Sequence, residues 1–483
     1  MQDPLFLIYI LPNTSMVCTM NLDELREFRE TGLVTPERMR VIEENAAALG
    51  VVPLMMMESA GVALASAVME HQPERVLLLC GKGNNGADGM VAARYLQHQV
   101  ETEVVIVSGE SMSDLTALQL SILQACNVTL HPIRCAAEVR ELDPLFLRAD
   151  MIVDALLGTG AFGIPREPVA SLVERANRAD VPILSVDAPT SGLRAGRILA
   201  FHRPKVEGSE VVEIGIPLLA EVCTGPGDLT LISEKSSHAH KGSGGAVLVV
   251  GGGPYQGAPY LTGLAALRAG ADVVHIASPV SLPYPDLIHV PLNGTHITKE
   301  HLPRILPLAE RADVVICGNG LGAESHDLVL ALAPSCRRLV LDADALRSPL
   351  PEGKETIYTP HAGEFQRMTG ADLPEDLAAK GKRVQRFASH GVILLKGEVD
   401  IISDGKRVRF NLTGCPAMTV GGTGDILAGV TGALFCRMPA FEAACAAAYA
   451  NGLNGEEVAE KRGDGLLASD LLDNLPGVLF GGE

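Results

Sequence analysis

A chain of 483 residues is too long for one ordinary domain and supplies material for two buried cores. Hydrophobic residues at 47% and charged residues at 20% describe a compact soluble protein, while 4% aromatics, no Trp and a formal charge of −19 exclude the stacking platforms and basic surfaces that nucleic-acid binding requires. Ten cysteines without a C-x-x-C pair predict reduced thiols in a cytoplasmic protein rather than zinc ligands or disulfides.

In chain order, the apolar run Leu5 to Leu11 is too short to span a bilayer and lacks the basic start and cleavage site of a secretory signal. Residues 1–33 are therefore expected to be an extension, with the natural start at Met16 or Met20. A helix is predicted from Pro36 to Gly50 with Thr35 as its cap, and a second over Leu54 to Glu70. Strand "RVLLLC", a glycine loop, helix "DGMVAARYLQHQ" and strand "EVVIV" follow. "MIVDALLG" and "PILSVDAP" are further strands, separated by a helix around Val169 to Asn177. Alternation of this kind predicts an α/β, doubly wound parallel sheet for residues 34–233. The polar segment Gly225 to Gly245 reads as a linker, and a second α/β domain is expected over 234–483. Its predicted strands are "GAVLVVGGG", "DVVHIAS", "DVVICGNG", "RLVLDADAL" and "GVILLKG", and two long helices opening at Asp425 and near Pro439 close it.

The first loop, "GKGNNGADG", satisfies the dinucleotide spacing G-x-G-x-x-G through Gly81, Gly83 and Gly86, but that spacing alone is weak. Asn84 and Asn85 add amide groups suited to a monovalent cation or to a ligand's polar edge. Asp154 and Asp187 each end a predicted strand, where ligands of open α/β sheets bind. Either aspartate alone reads more simply as a loop anchor; together with the asparagines they point to a site.

These segments, "GKGNNGADG", "VDALLGTG" and "VDAPTSG", with "TPERMRVIEENA" and "MMMESAG", resemble the NAD(P)H-hydrate epimerase family. The resemblance implies nucleotide contacts from Asn84, Asn85, Gly86, Ala87 and Asp88, and from the loop Gly158, Thr159, Gly160, Ala161, Phe162, Gly163 and Ile164. It implies K⁺ held by Asn85 and Asp154, and Asp187 as substrate ligand and proton-shuttling base. The family pattern D-x-P-S-G is one residue longer here, Asp187 to Gly192, so the hydroxyl on K⁺ is either Thr190 or Ser191.

In the second half, "GGTGDILAG" sets Gly421, Gly422 and Gly424 before a helix, whose free N–H groups and dipole make an anion hole. Asp425 in its first turn is placed to deprotonate a hydroxyl for phosphoryl transfer. No P-loop sequence occurs. G-T-G-D resembles the ribokinase-like superfamily, with its α/β/α fold, and "GNGLG", "LVLDADAL", "TPHAGEF" and "LLKGEVDII" resemble its ADP/ATP-dependent NAD(P)H-hydrate dehydratase members. That implies hydrated-nicotinamide contacts from Ala258, Gly322, His361 and Asp425. It further implies adenine-nucleotide contacts from Lys396, Gly397, Glu398, Val399, Asp400 and Gly424, and Glu364 orienting a hydrated Mg²⁺. Asp342 and Asp344 either shape this pocket or cap loops, and His238 and His240 are read as linker residues without further metal ligands.

The implied function is repair of hydrated NADH and NADPH: epimerisation of the R and S forms, then dehydration of the S form with ADP or ATP and release of phosphate. Small molecules are the expected partners, with neither nucleic acid nor membrane, and apolar helices compatible with a homo-oligomer. The alternative is a ribokinase-like kinase of a small vitamin precursor whose N-terminal half is a non-catalytic binding or oligomerisation module.

Overall fold

The computed structural model describes residues 21–109, 112–126, 128–158, 160, 163–233, 244–351 and 353–481. The expected linker histidines, Thr159, Ala161 and Phe162 lie outside them, as does the N-terminal apolar run. The chain forms two compact units. One spans Thr31–Pro217; the other runs from Leu218 onward and includes residues 21–30. Among the described residues no single helix is long and apolar enough to cross a membrane, and the cysteines are free.

In the first unit, β1 (Arg75–Cys80), β2 (Glu101–Val107), β3 (Thr129–Ile133), β4 (Met151–Ala155), β5 (Ile183–Val186), β6 (Arg197–Phe201) and β7 (Glu210–Val212) form one sheet in the order β3-β2-β1-β4-β5-β6-β7. Every pairing is parallel. The central strands are buried and largely apolar, interrupted by Asp154 in β4 and Ser185 in β5, as expected of a parallel sheet covered on both faces. The chain leaves β1 toward β2 and β3, then returns to β4 on the other side, so β1 and β4 flank the topological switch point. The helix after β1 begins at Asn84, earlier than expected, which puts both asparagines in its first turn.

The second unit contains β8 (Ala246–Val250), β9 (Val273–Ser278), β10 (Ile288–Pro291), β11 (Val314–Cys317), β12 (Arg338–Leu341), β13 (Glu355–Tyr358), β14 (Val392–Leu395), β15 (Asp400–Ser403) and β16 (Val408–Asn411), in the order β10-β9-β8-β11-β12-β13-β14-β15-β16. Pairing is parallel through β14 and antiparallel for the last two strands. The switch point lies between β8 and β11. Helices Ala258–Arg268, Thr423–Phe435 and Ala440–Arg462 bury small side chains in the core, and a third closing helix, Asp470–Phe480, follows the two expected.

The sequence reading set the domain boundary at 233/234, whereas the units divide at Pro217/Leu218. The physical reason is local packing. Asp228 accepts from Arg409 Nη1 at 2.7 Å, and the Thr224 amide donates to the Phe410 carbonyl at 2.8 Å, so residues 218–233 join the second unit. Residues 21–30 do the same: Leu25 is 1% and Phe28 7% exposed, Phe28 meets the Phe410 ring at 5.2 Å, and Arg29 Nε donates to Glu221 at 2.8 Å. Residues 1–33 were expected to be an extension to the first domain; Leu25 and Phe28 instead belong to the core of the second unit, while Leu22 is exposed.

Candidate active sites

At the first switch point the loop after β1 is pinched against β4. The Gly81 amide donates to the Ala155 carbonyl at 2.9 Å, and a Cβ on Gly86 would stand 2.1 Å from the Gly81 carbonyl oxygen, so only glycine lets the helix start there. Asp154 pairs in register with Ser185. Its carboxylate, 1% exposed, accepts from Ser185 Oγ at 2.8 Å, the Thr190 amide at 2.8 Å, Thr190 Oγ1 at 2.7 Å and the Leu156 amide at 3.2 Å. Burial raises its pKa and these bonds oppose the shift. Asn85 Nδ2 donates to the Val186 carbonyl at 3.3 Å, and its Oδ1 is turned toward Gly158, where a Cβ would come within 2.9 Å. Of the two hydroxyls left open by sequence, Thr190 is buried on Asp154 and Ser191 is exposed. Thr190 and Asp154 are therefore joined directly, and Asn85 reaches the end of β5 beside them through the Val186 carbonyl. Asn84 points elsewhere, accepting from Ser113 Oγ at 3.3 Å.

Asp187 adopts a left-handed backbone, φ 61°, and its Oδ1 accepts from the Phe201 amide at 3.0 Å and Lys205 Nζ at 2.6 Å. Lys205 is almost fully buried. Two further carboxyls sense this pair. Burial, Asp187 and Glu43 hold Asp88 well above the usual carboxylate range despite Lys205, and burial pushes Glu43 up to about 7 against the pull of Lys205. Sequence reasoning missed Glu43 and Lys205, since isolated charged residues far apart in the chain carry no pattern. Of the loop residues, Gly163 has a positive φ and Ile164 is 91% exposed.

In the second unit the helix over Thr423–Phe435 opens two residues earlier than expected, with Gly422 as its cap. Asp425 lies in the first turn, and its Oδ1 accepts from Asn319 Nδ2 at 2.7 Å. The same amide nitrogen donates to Asp342 Oδ2 at 3.0 Å. Asp342 Oδ1 accepts from Lys396 Nζ and Thr359 Oγ1, both at 2.8 Å, and Lys396 Nζ lies 3.7 Å from Glu364 Oε2. Burial opposes the charge on Lys396, yet Asp342, Glu364 and Asp425 hold its pKa above the usual value. Burial, then Asp342, pushes Asp425 up to about 6, with Asn319 and Lys396 pulling the other way. Asp342 is thus the hub of the cluster, whereas Asp344 accepts from the Gly322 amide at 2.8 Å and holds that loop.

His361 caps the helix Ala362–Thr369 through Nδ1, and its own amide donates to Glu364 Oε2 at 2.8 Å. Glu364 Oε2 is therefore engaged by the backbone and faces Lys396. Ala258 starts its helix beside the glycine turn after β8, where Gly252 N donates to the Asn319 carbonyl at 2.9 Å. Lys396, Gly397, Glu398, Asp400 and Gly424 line one cavity of about 550 Å³ with Thr413, Thr423, Leu427 and Asn451, a size suited to a nucleotide. Val399 does not; it lines an adjoining cavity that shares Lys396, Gly397 and Glu398 and reaches Leu25. Asp400 accepts from the Gly397 amide and Asn411, which fixes the turn, and burial raises it to about 6.

Comparison with known proteins agrees with both halves. Residues 246–477 match the family described as NAD(P)H-hydrate dehydratase, and residues 53–218 match the YjeF-related protein N-terminus. A bifunctional NAD(P)H-hydrate repair enzyme of Methanospirillum hungatei is 53% identical over 95% of this chain and 96% of its own. The chain belongs to the bifunctional NAD(P)H-hydrate repair enzyme family. A member from Pyrobaculum aerophilum is 40% identical over 92% of this chain and 98% of its own. Among solved structures, an ADP/ATP-dependent NAD(P)H-hydrate dehydratase from Bacillus subtilis, co-crystallised with ATP and Mg²⁺, is 29% identical over 53% of this chain and 97% of its own, with a TM-score of 0.44. Within this repair family, the glycine-loop site falls in the N-terminal match and the Asp425 site in the dehydratase match.

Proposed function

We propose that this chain restores NAD(P)H from its hydrates, with epimerisation in the unit Thr31–Pro217 and dehydration in the unit that begins at Leu218. The observation that carries the reading is Asp425, set in the first turn of a glycine-capped helix and held by Asn319 beside a nucleotide-sized cavity. Asp425 takes the proton of the ring hydroxyl, and that oxygen attacks the terminal phosphorus of ADP, or ATP, displacing AMP or ADP. The amides of the Gly421–Gly424 turn and the Lys396 ammonium receive the developing charge. The ring C–O bond then breaks with loss of a proton from the neighbouring carbon, and phosphate leaves as NAD(P)H forms. Mg²⁺ bound with the nucleotide would neutralise phosphate charge, with Glu364 acting on it through water.

In the first unit, Asn85 Oδ1, Thr190 Oγ1 and Asp154 would hold K⁺ once the Thr190 hydroxyl hydrogen turns away, and Asp187, backed by Lys205, moves the proton during epimerisation. Ala258, Gly322 and His361 would contact the hydrated nicotinamide beside Asp425, and Gly158, Gly160, Gly163 and Ile164 would serve the epimerase substrate. Relatives that match nearly the whole chain and are named bifunctional NAD(P)H-hydrate repair enzymes favour this reading over a vitamin-precursor kinase.

The test separates the two by product. Hydrated NADH, Mg²⁺ and nucleotide should give free inorganic phosphate and NADH in equal amounts, and Asp425→Asn should abolish both. A phosphorylated organic product that persists would overturn the dehydratase assignment.

A further inference from the structure

Asn319 sits in the turn that ends β11, fully buried and flanked by two glycines of positive φ. The turn is pressed against the end of β12: a Cβ on Gly318 would stand 1.7 Å from the Asp342 carbonyl oxygen. This forces the Asn319 side chain between two carboxylates, Asp342 and Asp425, and its Nδ2 serves both, at 3.0 and 2.7 Å. An amide nitrogen has two hydrogens, one for each acceptor. Both partners being carboxylates fixes the orientation of the amide, and the consequence is visible at its other end. Among the described residues Asn319 Oδ1 is buried without a hydrogen-bond partner. A buried orphan carbonyl is unfavourable, so the orientation is held by the two carboxylates and not by the rest of the pocket.

We infer that Asn319 is the positioning residue of the dehydratase base: its amide bridges Asp342 and Asp425 and pins Asp425 Oδ1, leaving Oδ2 for the substrate hydroxyl. The inference rests on the dehydratase reading for its catalytic meaning, while the pinning itself is a property of the resting protein. The groups that face Asp425 electrostatically are Asp342 beyond β12, Lys396 beyond β14 and Glu364 on the helix after β13. Asn319 is the neutral donor among them. Removing it leaves the repulsion of Asp342 and Glu364 opposed by Lys396 alone.

The experiment compares wild type, Asn319→Leu and Asn319→Asp by the pH profile of kcat, by nucleotide Kd, and by infrared titration of the Asp425 carboxyl, identified by its loss in Asp425→Asn. Leu keeps the volume and removes both donors; Asp keeps the shape and adds a third carboxyl. The expected result is an acid limb and an infrared titration that both move up by about one pH unit in the Leu variant, and further in the Asp variant. With them, kcat should fall on the order of tenfold while nucleotide Kd stays put. A folded Leu or Asp variant whose Asp425 titrates as in wild type would overturn the inference, and so would failure of both variants to fold, which would make Asn319 a structural residue. The infrared titration reads the pinning even if wild type shows no dehydratase turnover, so failure of the functional reading is recognised separately.

Discussion

Asp425 must be ionised to accept a proton, and its pKa is pushed up to about 6 by burial first and by Asp342 second. Dehydratase kcat should therefore be full above that value and fall as pH drops through about 6. Replacing Lys396 with Met removes the cation that opposes this shift, and the acid limb should move upward, by about one unit, in the same profile. In the first unit, Lys205→Met strips Asp187 of its 2.6 Å partner and lets Glu43 climb beyond about 7. Epimerisation rate, followed by the loss of the R form, should fall on the order of tenfold or more, with dehydration of pure S hydrate unchanged. The place of Asp425 in the first turn of a glycine-capped helix was legible in the sequence, because G-G-T-G-D marks such a turn. Asn319 was not, since a lone asparagine in a glycine turn acquires meaning only from partners 23 and 106 residues away.

At the level of elements, the strands flanking both switch points, β1, β4, β8 and β11, were legible as largely apolar runs, and the helices by caps such as Thr35, whose Oγ1 accepts from the Arg38 amide at 3.2 Å. Strands β3, β6, β7, β10, β13, β15 and β16 were not, because each is three to five residues long and includes a polar residue that breaks the apolar pattern. The opening of the glycine-loop helix was misplaced for a related reason: asparagines read as loop residues, yet Gly83 caps a helix that already includes them. Two substitutions test the elements. Gly86→Ala sets a Cβ 2.1 Å from a carbonyl oxygen and should destabilise the first unit by about 2 kcal/mol in denaturant unfolding. Phe28→Ala opens a cavity against Phe410 and should destabilise the second unit by about 3 kcal/mol, although residue 28 precedes the first unit in the chain.

At the level of the molecule, the α/β class and the presence of two sheets followed from alternation alone. The boundary did not, because a polar stretch between 225 and 245 marks a change of composition while the packing of Asp228 on Arg409 decides which core the chain joins. Each sheet carries its candidate site at its own switch point, where neighbouring strand ends diverge and leave room for a ligand. Two sites of one family, on one chain whose relatives match along nearly its full length, make a single repair sequence the economical reading. Its most direct test is the ultraviolet absorbance of NADH as the purified protein meets an R/S mixture of hydrated NADH with Mg²⁺, K⁺ and ADP or ATP. Complete nucleotide-dependent return of NADH is predicted, stopping at the S fraction in an Asp187→Asn variant. No return with either nucleotide would contradict it.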